Sequence, residues 1–167
     1  MPKVNFEALP DEARVWVFAA DRPLEGPEAD RLLDTVDAFL HGWKAHGAPL
    51  TCARDWRHQR FLIVAVDERT APPSGCSIDA LVRSLKGLES ELGLTLLDNN
   101  PVWFRQGGQL RRVDRATFRA LAREGEVGPD TVVFDNTLTR LGQLRGGGWE
   151  RAARDSWHGR AFFPSRV

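Results

Sequence analysis

The sequence predicts an α+β fold, in which a β-α-β-β-α series of elements is extended by a further hairpin, helix and strand. Two kinds of pattern support this prediction. Short continuous runs of β-branched and aromatic residues, such as residues 15–20 and 61–66, are typical of buried strands. Longer segments with apolar residues at spacings of three and four positions are typical of helices that pack one face against a sheet.

The first strand, at residues 15–20, is expected to lie in the centre of the sheet because it is apolar throughout. An Asp-Arg-Pro tripeptide interrupts it, as turn residues do. Residues 25–46 then carry one apolar stripe, which predicts a long helix that Gly47 ends. The stripe consists of Leu32, Leu33, Val36, Phe39, Leu40 and Trp43.

Residues 50–57 and 60–67 are separated by a short connection, which predicts a hairpin. A second amphipathic helix follows the turn at residues 74–79, and Gly93 is placed to end it. The resulting β-α-β-β-α order resembles a ferredoxin-like sandwich, in which helices cover one face of an antiparallel sheet.

The C-terminal part is predicted to add a hairpin, a helix and a strand. Gly107 and Gly108 are the strongest local signal, because glycine accepts the positive φ angles of a tight hairpin turn. Asp114 is placed to cap the helix that follows. The expected elements are strands at 101–105 and 109–113, a helix at 115–124, a strand at 131–134 and a short helix within 137–144.

Length and composition predict one globular domain over residues 1–167, since a chain of this size can bury a core without metals or disulfides. The 23 basic and 23 acidic residues balance, so no net field attracts a membrane or nucleic acid. The start of the chain lacks the pattern of a secretion signal, and no apolar run is long enough to span a bilayer. A cytoplasmic protein is therefore expected. Cys52 and Cys76 are isolated, so neither a disulfide, a metal site nor a cofactor is expected.

The turn at residues 74–79 is the best candidate site. Ser77 is expected to be the N-cap of the second helix, with Cys76 just ahead of the helix and Asp79 in its first turn. Gly75 allows close backbone approach, and a helix N-terminus can hold an anion or lower the pKa of a thiol. We therefore expect a binding protein whose site takes a small polar or anionic ligand or a protein partner. The candidate contacts are Ser74, Gly75, Ser77, Asp79, Arg83, Trp157 and Arg160.

Two other functions stay open. Cys76 could act as the nucleophile of an enzyme with His158 as its base, and either Arg160 or the helix N-terminus would stabilise the developing negative charge. Alternatively, the aromatic C-terminal segment could join two copies of the chain as a homodimer. That segment is too aromatic for a free tail, with Trp149, Trp157, Phe162 and Phe163.

Three further patterns suggest a metal site, a release-factor motif or RNA binding, but each has a simpler structural explanation. Asp21, Asp67 and Asp135 each lie at or just past the end of an apolar strand, where a metal-dependent enzyme collects carboxylates. In an antiparallel sheet Asp21 and Asp67 would emerge at opposite edges, which argues against a shared metal site, whereas a mostly parallel sheet would reopen it. The Gly-Gly-Gln sequence starting at Gly107 matches a release-factor tripeptide, but the hairpin accounts for it. An arginine-rich region spans residues 105–123, yet acidic residues interrupt it and strand alternation would split it between two faces. RNA binding is therefore not expected.

Four stretches, at residues 9–16, 75–83, 130–136 and 156–158, together resemble a family of small bacterial proteins. The family is frequent in the Bacteroidetes and is often labelled "ABC transporter ATPase". The resemblance spans nearly the whole chain and implies a bacterial origin, a single domain and a hallmark turn at Cys76. It transfers no mechanism, and ATPase activity is not expected, because the sequence has no phosphate loop of the form G-x-x-x-x-G-K-[ST].

Overall fold

The computed structural model describes residues 3–164, and within that range the chain is a mixed α+β protein with five α-helices and antiparallel sheets. The chain divides into two compact units. Unit 1 comprises residues 1–98 and 139–142, and unit 2 comprises residues 99–138 and 143–167. The prediction of a single domain stays a prediction, because this division describes packing and not independent folding. Within the described residues, no helix is both long and apolar enough to cross a membrane.

Unit 1 is built on a three-stranded antiparallel sheet of β1 (Arg14–Ala19), β4 (Thr51–Arg57) and β5 (Phe61–Asp67). The strand order is β1-β5-β4, so the central strand is β5, all of whose residues are buried. The prediction that the first strand is central was therefore wrong. Residues of β1 alternate between buried and half-buried, as a strand with one buried face does.

Two helices pack with this sheet, α1 (Gly26–His41) and α2 (Gly75–Leu92). They share a core with the sheet that includes Leu32, Val36, Leu40, Leu81, Leu85 and Leu88. A segment at residues 139–141 runs antiparallel to the start of β1, and the Val15 N–H donates to the Thr139 carbonyl at 3.0 Å.

The first helix is shorter than predicted. It ends at His41, and a small hairpin of β2 (Lys44–Ala45) and β3 (Ala48–Pro49) follows. His46 and Gly47 form its turn with φ angles of 51° and 78°, which is the geometry of tight hairpin turns. Trp43 continues the apolar spacing of the helix, but it is buried beyond the helix end, and this is why the pattern overran the element.

Unit 2 is built on a four-stranded antiparallel sheet of β6 (Val102–Gln106), β7 (Gln109–Val113), β8 (Val132–Phe134) and β9 (Glu150–Ala152), in the order β7-β6-β8-β9. The predicted hairpin at Gly107 and Gly108 is confirmed, with φ angles of 59° and 79°. The core of unit 2 includes Phe104 and Val133 from the sheet and Phe118 from a helix. The helices of unit 2 include α3 (Arg115–Arg123) and α5 (Trp157–Phe162). The short helix α4 is Leu141–Arg145, where residues 137–144 were predicted.

Candidate functional site

The turn that starts α2 is closed by a reciprocal pair of serines. The N-cap is Ser74, and its Oγ accepts from the Ser77 N–H at 3.1 Å. In return, the Ser77 Oγ accepts from the Ser74 N–H at 2.7 Å and donates to the Ser74 carbonyl at 2.8 Å. The prediction that Ser77 is the N-cap was wrong by three residues, because a serine in the third helical position completes the capping box from inside the helix. Cys76 consequently lies within the helix and not ahead of it.

The capping box leaves two backbone donors at the helix start. The N–H groups of Gly75 and Cys76 form no hydrogen bond within the part of the chain that the structure describes. Both residues are exposed, and a Cβ atom added at Gly75 would meet nothing within 4 Å. Both residues therefore lie at the surface of unit 1, with open space beside Gly75.

The exposed side chains near this start lie on one side of α2. Asp79 follows Cys76 by three positions and Arg83 follows Asp79 by four, so successive turns of the helix bring them close to one another. No ion pair between Asp79 and Arg83 is present among the described residues. On its buried side the turn is anchored to the core, because the Trp43 Nε1–H donates to the Ser77 carbonyl at 2.8 Å. The turn is therefore rigidly held on one side and open on the other.

The two cysteines have opposite environments. Cys52 is fully buried in the core of unit 1, and its thiol donates to the Leu40 carbonyl at 3.4 Å. Burial raises the pKa of the Cys52 thiol to about 12. Cys76 is exposed. Any thiol chemistry of the folded chain therefore belongs to Cys76.

His158 belongs to unit 2, whereas Cys76 belongs to unit 1. The His158 side chain is 1% exposed, its Nδ1 lies 2.7 Å from the Ser156 Oγ, and its ring stacks on Trp157 at 3.9 Å between centroids. Burial lowers the pKa of His158 to about 4, with the Asp135 carboxylate opposing this shift. The pairing of Cys76 with His158 stays a prediction, and the burial of the ring counts against its use as a base.

The other predicted contacts in unit 2 differ in exposure. Trp157 is half-buried and Arg160 is exposed, both on α5. Phe162 and Phe163 pack on Phe118 at centroid distances of 4.8 and 6.1 Å. The aromatic C-terminal segment therefore docks on its own unit.

The structure adds a cleft that the sequence did not indicate. It lies in unit 1, has a volume of about 600 Å³ and is lined by Asp11, Glu12, Glu68, Arg69 and Arg140. The Arg140 Nη1 donates to the Glu68 carboxylate at 3.1 Å and to the Glu12 carbonyl at 3.2 Å, while Arg69 is paired with Asp67. Three separate stretches of chain meet here, and no local pattern marks such a meeting.

The antiparallel pairing of β1 and β5 confirms that Asp21 and Asp67 follow strands of opposite direction. Hydrogen bonds from Arg69 lower the pKa of Asp67, which is a structural ion pair at the end of β5. Within residues 3–164, no group of three or more His, Cys, Asp or Glu side chains could hold a metal ion.

Comparisons of the chain with protein-family models, with curated proteins and with solved structures gave no match. The resemblance to the small bacterial family therefore stays a prediction.

Proposed function

We propose that the chain is a binding protein whose site is the start of α2, where it takes a small polar or anionic ligand. The observation that carries this proposal is the pair of N–H groups on two exposed residues, Gly75 and Cys76, which have no hydrogen-bond partner among the described residues. The positive end of the helix dipole adds to their attraction for negative charge. The exposed Cys76 thiol lies at the same place.

The charges around the turn limit the class of ligand. Asp79 carries a negative charge one turn into the helix, which opposes a multiply charged anion. Arg83 offsets that charge from the next turn. A ligand with one anionic or strongly polar group therefore suits the site better than a polyphosphate does.

Protection of the Cys76 thiol tests the proposal. The rate of alkylation by iodoacetamide is measured while nucleotides, sugar phosphates and small carboxylates are added one at a time, with thermal unfolding followed in parallel. We expect at least one class to slow alkylation saturably and to raise the unfolding temperature. Asp79→Asn should tighten the binding of an anion, whereas Asp34→Asn, at an exposed position of α1, should not change it. A panel without protection or stabilisation would reject this site.

A cysteine-dependent enzyme is the second candidate, and the exposure of Cys76 is the observation in its favour. Such an enzyme requires a thiolate at neutral pH. The pH profile of Cys76 alkylation measures this directly. A midpoint well below 8 supports the enzyme, and replacement of His158 should move that midpoint if His158 is the base. An ordinary midpoint near 8.5 excludes it.

We also propose a fold family for unit 1, a cellular location and a family relationship for the chain. A ferredoxin-like arrangement of unit 1 is supported by the β1-β5-β4 order and by residues 139–141, which lie beside β1 where a fourth strand would be. We also propose a bacterial, cytoplasmic protein related to the family named above. Self-association is the weakest candidate, because Phe162 and Phe163 already pack within unit 2. Elution as a monomer in size-exclusion chromatography at high protein concentration would exclude self-association.

A further inference from the structure

The chain as a whole has no net charge, but its two units carry net charges of opposite sign. The residues of unit 1 include 12 basic and 16 acidic side chains, whereas those of unit 2 include 11 basic and 7 acidic ones. Taken by itself, unit 2 is therefore a basic body. A polyanion that feels no attraction to the average chain could still be attracted to this part of it.

Three arginines concentrate this charge on one helix. Arg115, Arg119 and Arg123 follow one another at intervals of four residues along α3, so they lie on the same side of it. We call this row the α3 arginine face. All three side chains are exposed, and among the described residues none of them forms an ion pair. Two acidic side chains flank this row: Asp114, whose carboxylate accepts from the Thr117 N–H at 2.6 Å as the N-cap, and Glu124 at the helix end. Both keep their negative charge, so the three arginines exceed the flanking acids by one charge.

The helix α5 holds two of these arginines in place. The Arg115 guanidinium lies 5.0 Å from the centre of the Trp157 ring, and the Arg119 guanidinium lies 5.4 Å from the centre of the Phe162 ring. Stacking on a ring restricts the guanidinium plane. The Arg115 Nε–H donates to the Asn100 carbonyl at 3.2 Å, so the Nη groups of Arg115 are the ones left to bind a phosphate. The α3 arginine face is therefore partly ordered before any partner binds.

We infer that the α3 arginine face binds the sugar-phosphate backbone of single-stranded nucleic acid. Four residues of helix advance about 6 Å, which is comparable with the distance between successive phosphates along one strand. Guanidinium groups donate paired hydrogen bonds to phosphate oxygens. This role lies in unit 2 and does not depend on the ligand proposed for the start of α2.

Binding at this face should be independent of base sequence. The Trp157 ring already carries the Arg115 guanidinium and stacks on His158, so it offers no platform for a base. The objection from strand alternation applies only to the strand arginines. Of these, Arg105 is paired with Glu150 and Arg111 lies over Phe104. The helix arginines are not divided in this way.

Fluorescence anisotropy with end-labelled 20-nucleotide oligouridine and oligothymidine tests the inference. Affinity is measured from low to moderate KCl, because each phosphate contact contributes about −0.7 to the slope of log K against log [salt] for single strands. Three contacts predict a slope of about −2. The double variant Arg119→Gln with Arg123→Gln should reduce it to about −0.7 and weaken binding about tenfold or more at low salt.

Matched variants separate charge from folding. Replacing both residues with lysine should keep most of the slope, since a phosphate contact needs charge more than shape. Lys86→Gln, which removes an exposed charge from α2, should leave binding unchanged. Polyglutamate of equal charge should bind much more weakly than the oligonucleotides. Equal affinity for polyglutamate would overturn the assignment and indicate an acidic protein surface instead. Absence of saturable binding at low salt, or a wild-type slope in the glutamine variant, would also overturn it.

Discussion

Protonation of His158 should govern the stability of the chain below neutral pH. The ring is 1% exposed and lies against Ser156 and Trp157, and burial lowers its pKa to about 4. In the unfolded chain a histidine titrates near 6.5. Between these two values the unfolded state binds a proton that the folded state does not, so the free energy of unfolding falls as the pH falls.

The size of this effect follows from the two pKa values. Each pH unit in the window costs about 1.4 kcal/mol, so stability should fall by about 2 kcal/mol between pH 7 and pH 5. By pH 4 the loss should reach about 3 kcal/mol. Carboxylates whose pKa is lowered by hydrogen bonds, such as Asp67 beside Arg69, add a further loss of stability as the pH falls towards the ordinary carboxyl pKa near 4. The contribution of His158 is therefore read at pH 5 and above.

Urea unfolding at pH 7, 6 and 5 measures the effect. His158→Asn retains a polar atom near the Ser156 hydroxyl but cannot gain a proton, so it should be less stable at pH 7 and nearly independent of pH down to 5. His41→Asn, at an exposed position, should behave like the wild type. Control of stability by His158 is refuted if the wild-type protein is as stable at pH 5 as at pH 7, or if His158→Asn loses as much stability between these pH values as the wild type does.

Three further predictions concern packing, capping and thiol reactivity. Gly87→Ala, at an exposed position inside α2 with open space around it, should stabilise the fold by about 0.5–1 kcal/mol. Gly159→Ala should destabilise the fold by about 1–3 kcal/mol, because its Cβ would lie 2.9 Å from backbone atoms. Thermal unfolding of the two variants measures both effects, and shifts of the same sign would contradict the prediction. Ser74→Ala should cost about 1 kcal/mol by removing the N-cap, and Ser74→Asp should recover most of it; equal losses in the two variants would exclude capping as the cause. Ellman's reagent should react with one cysteine of the folded chain in a fast phase, because Cys76 is exposed whereas Cys52 is buried with a raised pKa. Cys76→Ser should abolish the fast phase, and a fast phase that survives the substitution would contradict the prediction.

Much of the fold could be predicted because its signals are local. The apolar run of β5, the paired glycines of the β6-β7 turn and the Asp114 cap each act over a few residues, and all three are confirmed. The position of β5 in the centre of its sheet was not predictable in this way. Strand order depends on which segments pair across the chain, and β1 and β5 have similar composition.

The errors in the site have the same origin. A serine at the start of a helix can cap it from outside or complete the cap from inside, and only the backbone geometry distinguishes Ser74 from Ser77. Likewise, the spacing of Trp43 fits a continuing helix, although the side chain is buried beyond the end of α1. The charged cleft at Arg140 depends on a segment beside β1, which no periodicity in the sequence specifies.

The proposed ligand site at the start of α2 is tested most directly by the amide resonances of Gly75 and Cys76. The isotopically labelled chain is titrated with acetate, which carries a single negative charge, and ¹H–¹⁵N correlation spectra are recorded. Saturable downfield shifts are expected at these two amides. The Ser77 amide, which is bonded to Ser74, should shift less. Acetate shifts confined to the cleft at Arg69 and Arg140, or no saturable shift at Gly75 and Cys76, would contradict the proposed site.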